Sequence, residues 1–286
     1  MVGQRVVVRR VLPGETGPSG GPAMTDVLGV CTSWGEGLCV VQPETGDPVP
    51  IRLADIVSGK PVPPRPSARH RITPLEAQRR ALALWPDLET EPLGDWLLRR
   101  SPTATARRAN SVLAFVPAGV PDAYDRVVGF YGRPVAAVLP DSDEDALFRG
   151  QGWGPESHDA DTLFQLASVA RTRRALRSRA VSSAEVELVD VPSPTGRVVT
   201  ARVGDVASGV AAYDRDWVGF RSIEVDPTQR RKGLALTVMA ALLEWGAEQG
   251  STTAYLQVLG DNAAAIELYA GLGFDTHHAY RYLTPG

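Results

Sequence analysis

Phe220-Arg221-Ser222-Ile223-Glu224-Val225-Asp226-Pro227, then Arg230-Arg231-Lys232-Gly233-Leu234-Ala235 and a run from Leu236 to Gly250, is the stretch that decides the fold. Ile223 and Val225 alternate with Ser222 and Glu224, the pattern of a half-buried strand, and Pro227 ends it because proline cannot donate to a ladder. Leu236, Met239, Ala240, Leu243 and Ala247 then recur at helical spacing, and Gly250 stands where a left-handed C-terminal cap belongs. The basic loop between them holds a glycine that lets the backbone approach a ligand, and it leads into helix amides with no intrahelical partner. A diphosphate placed there would accept several N–H bonds and meet the positive end of the helix dipole, with Arg230, Arg231 and Lys232 adding attraction. A tight turn with a solvated basic face is the alternative that this loop alone leaves open.

The next segment decides between them. Tyr255 and Gln257 alternate with Leu256 and Val258 as a strand, Gly260-Asp261-Asn262 turns the chain, and Ala263 to Tyr269 forms a helix closed by Gly271-Leu272-Gly273-Phe274. Strand, Arg-x-x-Gly-x-Ala, helix, strand, Asn-x-x-Ala-Ile-x-Leu-Tyr and Gly-Phe in this order resemble the GNAT superfamily of acetyl-CoA-dependent N-acetyltransferases, most nearly its ribosomal-protein N-terminal branch. The resemblance covers residues 196–286. It implies an α+β fold with a mixed, mostly antiparallel sheet flanked by helices, acetyl-CoA as cofactor and an amine as acceptor. It also implies that the backbone of Ile223, Glu224 and Val225 holds the pantetheine arm and acetyl carbonyl. The amides of Arg231, Lys232, Gly233, Leu234, Ala235 and Leu236 would hold the pyrophosphate. Asn262 would contact the cofactor, and Tyr269 would protonate the departing thiolate.

One position departs from the family. The N-terminal acetyltransferases place a Glu five residues before the motif asparagine, and this chain has Gln257, which cannot accept a proton at neutral pH. Glu224, on the strand beside the acetyl position, is the first candidate base, with Asp214 and Asp216 at the preceding turn behind it. Glu224 could equally be a solvated strand residue, and a water chain could remove the proton instead. His277 and His278 are adjacent in a final strand, so alternation allows at most one of them to reach the acceptor and argues against a metal pair. The alternative to an enzyme is an acyl-CoA-binding regulatory protein that keeps the cofactor site without turnover; Gln257 favours it and Tyr269 opposes it.

At 286 residues the chain is long enough for two or three domains. A net charge of −3 leaves no global nucleic-acid footprint, and the absence of a long apolar run or a signal peptide predicts a soluble, cytoplasmic protein. Gln4–Val11, Asp26–Cys31, Gly37–Val41 and Val49–Leu53 read as short strands, predicting an SH3-like β-barrel over residues 1–60, with a mobile glycine-rich loop from Pro13 to Pro22. Cys31 and Cys39 match no zinc spacing and read as small buried side chains on neighbouring strands. Pro61 to Pro66 is a stiff linker, and residues 61–72 separate the barrel from the remainder of the chain.

From Thr73 a capped helix runs to about Trp85, succeeded by strands near Asp95–Arg99, Ser111–Val116 and Val135–Leu139 and a helix over Ala123–Gly132. Leu147-Phe148-Arg149-Gly150-Gln151-Gly152-Trp153 then matches Leu268-Tyr269-Ala270-Gly271-Leu272-Gly273-Phe274 at an offset of 121. This internal similarity predicts a degenerate GNAT-like half over 73–165, with phenylalanine where the catalytic copy, 166–286, has tyrosine.

Overall fold

The computed structural model describes residues 1–17, 20–62, 68–156, 160–179, 182–194 and 197–286. The chain forms two compact units, Met1–Ser67 and Ala68–Gly286. In the first, β1 (Arg5–Thr16), β2 (Pro22–Gly35), β3 (Leu38–Gln42), β4 (Val49–Arg52) and β5 (Ile56–Pro61) make an antiparallel sheet in the order β4-β3-β2-β1-β5. Val6, Val8, Cys31, Cys39, Val41 and Ile51 form its core, so both cysteines are buried on adjacent strands as the pattern predicts. The loop expected from Pro13 to Pro22 is shorter: β1 runs on to Thr16, which still pairs with Pro22, and Gly14, at φ 84°, takes up the irregularity after Val11. Pro18 and Ser19, and residues 63–67 of the proline-rich linker, lie outside the described residues.

The second unit opens with α1 (Pro74–Arg80), capped as the sequence predicts by Thr73 Oγ1, which accepts from the Glu76 amide at 3.2 Å. Next come β6 (Glu89–Leu93), β7 (Trp96–Arg100), β8 (Val112–Ala114), α2 (Ala123–Phe130), β9 (Ala136–Val138), α3 (Asp143–Gly150), β10 (Trp153–Pro155), β11 (Thr162–Ser168) and α4 (Val169–Arg177). The last part comprises β12 (Glu187–Val191), β13 (Arg197–Val203), β14 (Ala207–Asp214), β15 (Trp217–Val225), α5 (Leu234–Glu248), β16 (Thr253–Leu259), α6 (Ala263–Ala270) and β17 (Asp275–Pro285). The sequence pattern does not reveal β6, whose Pro92 argues against a strand; as the last strand of the sheet it tolerates the missing donor.

One sheet joins these strands in the order β12-β13-β14-β15-β16-β11-β17-β9-β8-β7-β6, with β10 paired to β17 off this path. Among the described residues only β15 with β16 and β8 with β9 are parallel, and each pair is joined through a helix, α5 and α2 respectively. The two central strands are exchanged: β11, which comes after α3, pairs with β16, while β17, which comes after α6, pairs with β9. The order therefore reads alike outward from the centre in both directions. The expected boundary between residues 165 and 166 falls inside β11, which is hydrogen-bonded to β16 and β17 on its two sides.

α5 packs Val238, Met239, Leu242 and Leu243 onto Val199, Ala211, Val218 and Leu256 of the sheet. It ends in a Schellman motif, with Ser251 N–H on Gly246 O and Gly250 N–H on Ala247 O, Gly250 being at φ 96°. The two copies of the internal repeat share a helix end and a left-handed glycine, Gly152 at φ 83° and Gly273 at φ 91°. Among the described residues no helix is long and apolar enough to cross a membrane.

Candidate active site

The site begins with a break in β15. Arg221 pairs with Val210 and Glu224 with Ser208, so β15 carries one extra residue, and Ser222 takes the left-handed conformation, φ 51°. The parallel pairing with β16 ends at Phe220 and Leu256. Beyond that point the two strands part, leaving the edge of Ser222–Val225 that faces β16 without a ladder partner. Ile223 turns toward α5, so close to Gly209 that a Cβ there would sit 2.5 Å from Ile223 Cδ1. Glu224 is exposed, and its carboxylate has no hydrogen bond or ion pair among the described residues.

The loop after β15 is held from within. Asp226 Oδ1 accepts from the Thr228 hydroxyl at 2.6 Å and the Thr228 amide at 2.7 Å, which holds the Asp226 carboxyl below the usual carboxylate range. Lys232 Nζ donates to Gln229 Oε1 at 2.8 Å. Arg231 at φ 63° and Gly233 at φ 79° then turn the backbone into α5, which Gly233 caps without any side-chain bond. Among the described residues none of the amides of Arg231, Lys232, Gly233, Leu234, Ala235 and Leu236 donates to a protein acceptor. Six consecutive N–H groups therefore remain for water or an anion, at the positive end of a helix of 15 residues. Ile223, Glu224, Val225, Arg230 and Ala235 line a cleft of about 800 Å³ together with the turn between β13 and β14.

Asn262 and Tyr269 do not line that cleft. Asn262 caps α6, its Oδ1 accepting from the Ala265 amide at 3.2 Å, a bond that does not use its NH₂ group. Tyr269 packs on Phe274, 5.9 Å between ring centroids, and belongs to the same apolar cluster as Ile223, Val225 and Leu234. Burial raises its phenol above the ordinary value of 10.0, and its hydroxyl has no partner among the described residues.

Two expectations, one about the base and one about the histidines, change. Asp214 and Asp216 sit at the opposite end of β15, about 23 Å from Glu224 at the strand rise. Asp216 is occupied there by Arg80 Nη1 at 3.0 Å and Thr252 Oγ1 at 3.2 Å. His277 and His278 do not point to opposite faces: the register slips between Phe164 and Gln165, the extra residue forms a bulge, and their Nδ1 atoms lie 2.7 Å apart. His277 Nε2–H donates to Ile72 O at 3.0 Å, so His277 Nδ1 accepts from His278, whose Nε2 accepts from the Gln78 amide group at 3.3 Å. Gln257 is the first residue of β16 past its pairing with β15, and its Oε1 accepts from the Tyr280 hydroxyl, itself 3.2 Å from the Tyr282 hydroxyl. Sequence reasoning missed that polar chain beside the parting strands; alternation of Tyr280 and Tyr282 in the final strand was the signal for it.

A family model described as "Probable histone acetyltransferase Rv0428c C-terminal" matches residues 72–283, and one described as "Rv0428c N-terminal Sm-like domain" matches residues 1–60. The second corrects the SH3-like reading: both descriptions fit a short five-stranded sheet, and strand spacing alone does not separate them. The probable histone acetyltransferase Rv0428c of Mycobacterium tuberculosis is 27% identical over 305 residues, covering 99% of this chain and 95% of that protein. The uncharacterized N-acetyltransferase YobR of Bacillus subtilis is 26% identical over 245 residues, covering 71% of this chain and 96% of its own. In fold the chain is similar to a GCN5-related N-acetyltransferase from Kribbella flavida, at a TM-score of 0.55 and 15% identity over 74% of this chain and 95% of that one. With a family model matching residues 72–283, the chain belongs to the Rv0428c acetyltransferase family, and its fold is that of a GCN5-related N-acetyltransferase.

Proposed function

We propose that the chain moves an acetyl group from acetyl-CoA to a primary amine, of a protein, a peptide or a small molecule, by direct attack in a ternary complex. The observation that carries this is the row of six unpartnered amides from Arg231 to Leu236 behind a left-handed Gly233, a donor set that fits a diphosphate. Arg230, Arg231 and Lys232 add charge around it. The free edge of Ile223, Glu224 and Val225 orients the pantetheine arm and polarises the acetyl carbonyl through backbone N–H. Asn262 reaches the cofactor through the amide group that its capping bond leaves over.

Bound acetyl-CoA supplies the acetyl group as an activated thioester. As the amine nitrogen bonds to the carbonyl carbon and the carbon–sulfur bond breaks, Tyr269 gives its proton to sulfur, and Glu224, directly or through water, takes one from the amine. Burial keeps the Tyr269 phenol protonated for that role. The strands β12 to β16 with α5 and α6 are the catalytic part, β6 to β9 with α2 and α3 a degenerate GNAT-like half, the exchanged strands β11 and β17 join the two, and residues 61–72 are the linker to the N-terminal sheet.

Thiol release from acetyl-CoA across a panel of amines, peptides and aminoglycosides tests the proposal, acceptor-dependent release being the expected result. One observation favours a second reading, a cofactor-binding regulatory protein: Gln257, at the position of the family's base, is an amide engaged by Tyr280. Coenzyme A binding with no acceptor-dependent release would support that reading.

A further inference from the structure

Phe220 and Leu256, the last residues paired between β15 and β16, both belong to the core under α5. Arg221 and Gln257, which follow them, therefore stand side by side on the opposite face, where the strands part. The segment between β7 and β8 folds back over that face, its Ala109 in one apolar cluster with Trp85, Phe164 and Tyr255. The segment is held from within. Asn110 Nδ2 donates to Ala104 O at 2.7 Å, Asn110 Oδ1 accepts from the Ser101 amide at 3.1 Å, and Asp87 Oδ2 accepts from the Ser101 hydroxyl at 2.9 Å. This brings Arg108 to the Tyr280 hydroxyl, which accepts from it and donates in turn to Gln257 Oε1.

Three guanidinium groups thus surround the chain of Gln257, Tyr280 and Tyr282. Arg108 is half-buried, and its Nε is shut off from water with no acceptor. Arg221 lies 4.6 Å over the Trp85 ring and donates Nε–H to Leu84 O at 2.8 Å. Arg99, only 3% exposed, faces Tyr282 and bonds Ser111 through its Nε and Nη2. Among the described residues none of the three is ion-paired with a carboxylate, whereas Arg80, Arg107, Arg149 and Arg281 of the same unit all are. Asp87, which faces Arg221, is engaged by Ser101 and Thr103, and Glu224 is exposed beyond the bulge. Positive charge removed from water without a counter-ion is costly, and a ligand anion would supply the missing partner.

We propose that the acceptor is a small amine that also carries a carboxylate, with Arg108 holding the carboxylate and Gln257 orienting the amine at the parted strands. The proposal rests on the acetyl-transfer reading and names the substrate class for it. A guanidinium fork matches a carboxylate in shape, and the three forks are spread along the polar chain rather than converging on one point as a phosphate would require. From Gln257 to Arg108 is two hydrogen bonds through Tyr280, about 6 Å, so only a few carbons separate the two groups of the ligand.

The test compares thiol release from acetyl-CoA with 4-aminobutanoate, L-glutamate and L-phenylalanine, each against its carboxamide. The carboxylate of each pair should have a kcat/KM about tenfold or more above its amide, the value of one charged hydrogen bond. Arg108→Gln should erase that preference by raising KM for the carboxylates, with the amides unaffected. Equal or faster turnover of the amides, or preference for lysine-rich peptides, would overturn the carboxylate while leaving acetyl transfer standing. If no acceptor releases thiol, calorimetric titration of the coenzyme A-bound chain with the same pairs decides. Carboxylate-selective binding lost in Arg108→Gln would then support the site although transfer fails, and no such binding would overturn it. If the variant does not fold, the wild-type comparison of each pair decides alone.

Discussion

Replacing Tyr269 with phenylalanine removes one oxygen and leaves the packing in place. The ring keeps its contact with Phe274, and the lost hydroxyl had no partner among the described residues, so no buried group is orphaned. Unfolding free energy should therefore change by less than about 0.5 kcal/mol. Turnover should respond on a different scale. A positioned acid contributes roughly 10²–10⁴-fold, which is about 2.7–5.5 kcal/mol of barrier, and kcat should fall by that factor while coenzyme A affinity holds. Because burial raises the phenol, the wild type should lose activity through this group only at alkaline pH, and that limb of the pH profile should vanish in the variant. Steady-state thiol release at saturating acceptor, with thermal unfolding and coenzyme A titration as controls, reads all three quantities. A variant with wild-type kcat would refute the acid assignment.

Gly209→Ala should destabilise by about 1–3 kcal/mol and raise the acetyl-CoA KM, because its Cβ would lie 2.5 Å from Ile223 Cδ1 and 2.8 Å from Val238 Cγ1, and Ile223 must yield; an unchanged melting temperature contradicts this. Glu144→Gln should stabilise the chain by about 1 kcal/mol near pH 7. A carboxyl with a raised folded pKa contributes stability below the unfolded pKa and loses it as pH rises through the folded one, so the gain should shrink toward acid pH; a lower melting temperature at pH 7 would count against it. His278 is the converse case. Burial first, then His277, push its pKa from 6.5 down to about 3, so the stability it holds above the unfolded value is lost as pH falls through that window. The loss should approach about 1.4 kcal/mol per pH unit, and urea unfolding between pH 7 and pH 5 should show a shallower decline in His278→Gln.

The strand, basic turn and helix from Phe220 to Gly250 were legible because each element carries its own local signal: alternation, a glycine needing positive φ, and a capped amphipathic helix. The cap at Thr73 was legible for the same reason. The bulges at Ser222 and His277 were not, because an extra residue in one strand is defined by its partner, and no spacing within the strand itself records it. Alternation still gave the correct faces for Ile223 and Val225, and it failed for His277 and His278. The exchange of β11 and β17 was hidden for a similar reason: each strand has an ordinary pattern, and only pairing across more than 100 residues shows where it goes. The repeat at Leu147 and Leu268 pointed to a duplication without showing that the copies share one sheet. Four of the six free amides, Gly233 to Leu236, could be expected from any exposed helix start, whereas the left-handed Arg231 two residues before Gly233 could not.

The most direct measurement is amide hydrogen exchange over residues 231–236 with and without coenzyme A. These N–H groups have no protein acceptor, so they should exchange quickly in the free chain and slow by about tenfold or more when a diphosphate accepts from them. Unchanged exchange there at saturating coenzyme A, with protection arising elsewhere or nowhere, would contradict diphosphate binding at this turn and the transfer chemistry built on it.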